Sequence, residues 1–183
     1  MNISLAGRLA PSACFEVPLD MLAACYLRIA QQCSTLRRLV PHLAVHGADT
    51  QAREAAASVI RYFETAAKDH HADEENDLFP VLIESMAGSD AVCLRDMTSA
   101  LAAEHLELEA RWRHLRAVLE RIVASTSDTL DAAEVEAFAG SYERHIEREK
   151  RELLPMAARL LTEDELARIG RAMRNRRGIA AVS

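Results

Sequence analysis

This chain has almost none of what builds a β-sheet. Its 183 residues hold six glycines and eight aromatic side chains, and no run alternates Val, Ile, Thr or Tyr with polar residues as a half-buried strand would. Alanine, leucine, arginine and glutamate dominate instead, which is the usage of an all-α protein. No apolar run approaches the roughly 20 residues needed to cross a bilayer. Met1 to Asp20 is interrupted by Arg8, Pro11 and Glu16 and lacks the apolar core of a signal peptide, which points to the cytoplasm. The four cysteines, Cys14, Cys25, Cys33 and Cys93, show no Cys-x-x-Cys spacing and so no zinc or redox framework. They are expected to be reduced and buried as small apolar residues, except Cys14 in a loose N-terminal arm. A net charge of −6 is no electrostatic match for nucleic acid or an anionic membrane.

What is present fits one domain with a substantial core. Residues 1–17 read as an irregular arm. Pro18 opens a first helix, whose apolar residues Leu19, Leu22, Cys25, Tyr26, Ile29, Cys33, Leu36 and Leu39 recur at helical spacing until Pro41, which should kink or end it. A second helix is expected from Thr50 to Met86, bent by Pro80, with Gly88-Ser89-Asp90 as stop and new N-cap. A third spans Asp90 to Ser125 and a fourth Asp131 to Leu161, with Pro155 as the counterpart of Pro80. Thr162-Glu163-Asp164-Glu165 is a capping box for a short fifth helix. The tail from Arg168 to Ser183 has five arginines and no acid, the composition of a solvated, frayed terminus.

The chemistry lies in a repeated spacing. His70 and Glu74 are four residues apart, which puts both side chains on one helix face about 5–6 Å apart. The pattern returns at His145 and Glu149 and, between them, at His105 and Glu109. Pro80 and Pro155 each follow the second member of their pair by six residues. Leu22 to Ile29 also matches Leu101 to Leu108 at an offset of 79 residues, while the His-Glu-Pro blocks match at 75. The chain therefore reads as two helical hairpins forming an up-down-up-down four-helix bundle over residues 18–161, in which Tyr26 corresponds to His105. Tyr26, His70, His105 and His145 can then lie at one level and point at the axis, with Glu74 and Glu149 facing each other one turn away. That donor set suits two metal ions roughly 3.5–4 Å apart, and mixed imidazole, carboxylate and phenolate donors suit iron or manganese.

With His70-x-x-x-Glu74 before Leu78-Phe79-Pro80, the Glu104-His105 pair and His145-x-x-x-Glu149, residues 18–161 resemble the hemerythrin-like (HHE cation-binding) family. The resemblance implies a non-haem di-iron centre, oxo- or hydroxo-bridged, that meets oxygen, peroxide or nitric oxide. Carried over by position, His70 and Tyr26 would serve one iron, His105 and His145 the other, and Glu74 and Glu149 would bridge. Tyr26 stands where the family normally has histidine. As phenolate it would favour the ferric state and disfavour reversible oxygen carriage, and the alternative is a core tyrosine with a hydrogen bond to a neighbour. Glu109 stands where oxygen-carrying members have histidine, and is either a metal ligand or the ion-pair partner of Arg116 and Arg37.

Asp77 and Glu152 are read as groups that hold ligand histidines or as polar ends of the bundle. His71, Glu75 and His114 are read as surface, and Cys33 and Trp112 as closing the core. The leading function is an oxidant-binding, sensing or reducing di-iron protein, with an unknown redox partner and with homo-oligomerisation open. The alternatives are an iron reservoir or donor without turnover, and a metal-free bundle used for association.

Overall fold

A computed structural model describes residues 17–86 and 89–179, so the expected arm and Cys14 lie outside the described residues, as does Gly88. Helix α1 (Pro18–His46) starts with Pro18 in its first turn and buries Leu22, Tyr26, Ile29, Cys33, Leu36, Leu39 and Leu43. Pro41 does not end it. Pro41 lies on the exposed face, where water can satisfy the carbonyl of Arg37 that has lost its partner. The helix stops instead at Gly47, at φ +64°, whose N–H bonds the Leu43 carbonyl at 2.8 Å.

Asp49 caps α2 (Thr50–Glu64) by accepting the Ala52 N–H at 2.8 Å, and it also meets His42 Nε2 at 3.0 Å. The single bent helix expected from Thr50 to Met86 is in fact three helices and an insert. Thr65 breaks the first turn-to-turn ladder, because its hydroxyl donates to the Arg61 carbonyl at 2.7 Å and its own N–H goes to Tyr62. Beyond α3 (Ala66–Asp73), Glu74–Leu78 forms a π-helical turn that leads into α4 (Phe79–Glu84). Pro80 can donate nothing to Asn76 and crowds its carbonyl. One extra residue in the turn absorbs this, and Phe79 bonds back to Glu74.

The second half repeats the arrangement. α5 runs Ser89–Val123. α6 (Ala132–Arg148), capped by Asp131, passes into a π-helical turn at Glu149–Leu153 and then α7 (Leu154–Leu160), again just ahead of a proline. α1 packs against α2 and α6, and α5 against the same two, which closes a ring of four rods. There are two apolar clusters. One holds Tyr26, Phe63, Trp112 and Phe138, and the other Leu22, Leu78, Leu101 and Leu153. Along α1 and α5 the chain goes from the second cluster to the first, and along the other two rods from the first to the second, so direction alternates. The fold is the expected all-α, up-down-up-down bundle. Where the chain crosses between clusters, two of the rods bury a histidine with a glutamate, His70 with Glu74 and His145 with Glu149, and α5 buries His105.

Three surface expectations fail. α8 (Glu163–Arg176), opened by the Thr162/Glu165 capping box, is not frayed. It buries Ile169, Gly170 and Met173, and Arg176 and Arg177 bond Asp73. Apolar contacts and a buried acid on another helix, both non-local, hold what composition alone marks as loose. Cys93 is exposed on α5, unlike the buried Cys25 and Cys33. The third exception, at His71, belongs to the site. Among the described residues no helix is long and apolar enough to cross a membrane.

Candidate metal centre

His70, Glu74, His105, His145 and Glu149 are all buried, an arrangement that an apolar bundle interior disfavours. α3 and its π-helical turn supply His70 and Glu74, α5 supplies His105, and α6 with its turn supplies His145 and Glu149. Glu74 lies 3.7 Å from His70 Nε2 and 3.4 Å from His105 Nε2, and Glu149 lies 2.9 Å from His145 Nε2. Donor atoms of Glu74, His105, His145 and Glu149 all fall within 4.8 Å of one another. On α1, the Tyr26 ring meets His70 edge-on at 5.4 Å between centroids. Six of the seven residues that the sequence nominates therefore converge.

Glu109 stands apart, half-buried and outside this group of donors. Nor does it form the alternative ion pair. Arg37 pairs with Glu136 and Glu143, and Arg116 with Glu64 and Glu120.

The tautomers can be read from the partners. His105 Nδ1 lies 2.6 Å from a Glu75 oxygen, and His145 Nδ1 lies 2.7 Å from a Glu104 oxygen. An ionised carboxylate only accepts, so each Nδ1 carries a proton, and whenever the ring is neutral its Nε2 is the nitrogen left with a lone pair. The two Nε2 atoms nevertheless sit 3.0 Å apart. At that distance they need something positive between them, a proton or a metal cation; burial alone would lower His145, but Glu149 and Glu104 raise it, which favours a proton there in the metal-free chain. Both nitrogens of His70, both oxygens of Glu74 and of Glu149, and the Tyr26 hydroxyl are buried with no hydrogen-bond partner.

The charges respond accordingly. Burial pushes His70 down to about 4, so its ring is neutral and free to donate a lone pair. Burial, then the Glu149 carboxylate, push Glu74 well above the usual carboxyl range. Burial would raise Glu149 too, but His105 and His145 beside it outweigh that and hold it low. Burial, with Glu149 and Glu74 nearby, keeps the Tyr26 phenol protonated far above its ordinary range.

His71, read as surface, belongs here, and Glu75, exposed as expected, reaches the site from its rim. α3 lies between neighbours and so shows two sides to the interior: His70 turns to Tyr26, while His71 stacks on His105 at 4.0 Å with planes 9° apart. The Nε2 of His71 is buried, and His71, His105 and His145 bring donor atoms within 4.8 Å of one another. Glu75, though exposed, is the acceptor that orients His105. Its signal in the sequence was adjacency: Glu75 follows one donor as Glu104 precedes another. His114 is on the surface with Glu134, as expected. Asp77 accepts from Arg176 at 2.8 Å. Glu152 takes Arg148 and Arg151, and Arg148 in turn donates to Glu104 at 2.6 Å. Neither Asp77 nor Glu152 touches a ligand histidine directly. Trp112 and Cys33 do close the core, and the indole N–H donates to Glu64 at 2.7 Å.

Imidazole nitrogens and carboxylate oxygens gathered in a bundle's interior, with outer carboxylates fixing the rings, define a metal-binding helical bundle. The chain belongs to the hemerythrin family: residues 17–157 match the hemerythrin HHE cation binding domain. It is also 31% identical over 169 residues to an uncharacterized protein of Haemophilus influenzae, covering 91% of this chain and 94% of that one.

Proposed function

We propose that this protein is a non-haem di-iron protein that binds, senses or reduces a small oxidant such as oxygen, peroxide or nitric oxide. The observation that carries the reading is the buried donor set: the Nε2 atoms of His105 and His145 3.0 Å apart, beside His70 nitrogens and Glu74 and Glu149 oxygens without hydrogen-bond partners. His70 and Tyr26 would serve one ion, His105 and His145 the other, and Glu74 and Glu149 would bridge them. The absence of cysteine from the group, among the described residues, favours iron or manganese over structural zinc. When bound, two irons supply one-electron chemistry toward the oxidant.

The chain's own residues tune that chemistry. Burial resists ionisation of Tyr26, so only a strongly acidic cation can take the place of its proton, and the resulting phenolate favours the ferric state. Glu75 and Glu104 keep His105 and His145 in the one tautomer that can donate. A surface groove of about 770 Å³, lined by Glu104, Leu108, Gly140, His145, Arg148 and Arg151 among others, gives a small molecule a route to the edge of the site.

Metal analysis and a visible spectrum of freshly purified protein test this. Two irons per chain are expected, with a phenolate-to-iron absorption band that Tyr26→Phe removes. A chain that takes up no iron would sink the proposal. An iron-loaded chain without that band would remove Tyr26 from the ligand set.

A further inference from the structure

α8 begins beyond the residues that the family match covers, yet it reaches the turn that carries Glu74. It packs on α1, on α3 and on the first π-helical turn. At its end two guanidinium groups close on one acid. Arg177 donates Nη2 to Asp73 Oδ2 at 2.6 Å and Nη1 to Oδ1 at 3.1 Å. Arg176 bonds the same Oδ1 and reaches Asp77 at 2.8 Å. Asp73 is fully buried, and the next residue in the chain is Glu74. Successive helical residues diverge by about 100°, so when Glu74 faces the centre Asp73 faces away from it, into α8.

A carboxylate that loses its cations does not remain buried. Asp73 must then either take up a proton, at a cost in free energy at neutral pH, or turn toward water, and where it turns, Glu74, bonded to it at the start of the π-helical turn, turns with it. We infer that Arg176 and Arg177 are positioning residues for the metal centre: acting through Asp73, they hold Glu74 in place, and α8 is a latch whose docking sets how firmly the site keeps its cation. This rests on the metal reading of the site. The planar, forked contact to both oxygens of Asp73 is one that lysine cannot reproduce.

The test loads the full chain with iron and follows its transfer to a chelator. The double variant Arg176→Gln, Arg177→Gln should release iron about tenfold faster or more, with helical circular dichroism retained. Adding Asp73→Asn should restore retention, because no fully buried charge is then left unpaired, a rescue that general loosening of the fold would not give. Unchanged release in the double variant, or no rescue, overturns the latch. If the double variant does not fold, the unaltered chain decides. Coupling is reciprocal, so iron must slow amide exchange across residues 163–176. Iron-bound protein with unchanged exchange there overturns the latch alone, whereas a chain that binds no iron overturns the proposed function with it.

Discussion

His105 and His145 each spend one ring N–H on an outer carboxylate, and this decides which nitrogen is left for a metal. Replacing Glu75 by alanine frees the His105 ring to turn or change tautomer, so metal affinity should fall about 10–100-fold by calorimetric titration while the melting curve of the metal-free protein barely moves. His70 sets a pH dependence. Its folded-state value of about 4 lies below its ordinary 6.5, so between these values the unfolded chain binds more protons. The metal-free protein should therefore lose stability as pH falls through that window, by roughly 3 kcal/mol at most, in urea titrations run at several pH values. At this scale the sequence was legible for the six side chains that converge because spacing places side chains on a face. It misplaced His71 and missed the bond that the exposed Glu75 makes, because a residue beside the site is judged by its angle on one helix, whereas these two are decided by what the adjacent helix offers.

The elements show the same division. Helix starts followed from local chemistry: Pro18, the Asp49 and Asp131 caps and the Thr162/Glu165 box all stand where the sequence marks them or within a residue of the expected start. Asp49→Ala removes the Ala52 N–H acceptor and the His42 contact together, and should cost about 1 kcal/mol in chemical denaturation with the cooperativity unchanged. The two π-helical turns were not legible as such. Pro80 and Pro155 announced a distortion, but a kink and an inserted residue answer the same missing N–H. Packing chooses between them, here by setting His70 with Glu74, and His145 with Glu149, at the buried level.

For the whole molecule, the polar layer between two apolar clusters is a stability defect in the metal-free state, since each orphaned donor has given up water for nothing. A cation that binds only the folded chain must then raise stability, by about 2.7 kcal/mol at a hundredfold excess over its dissociation constant. Scanning calorimetry should show the metal-loaded protein melting well above the chelator-stripped one, and coincident transitions would count against a resident metal. By itself the sequence determined the helical class, the two-hairpin bundle and the inward faces of His70, Glu74, His105, His145 and Glu149, because periodicity and caps are properties of neighbours along the chain. Only the tertiary structure decided which carboxylate orients which ring, that Glu109 stays outside the donor group, and that the arginine-rich end docks on Asp73. The first and last of those are contacts between residues 30 to 104 positions apart, and nothing local specifies the partner.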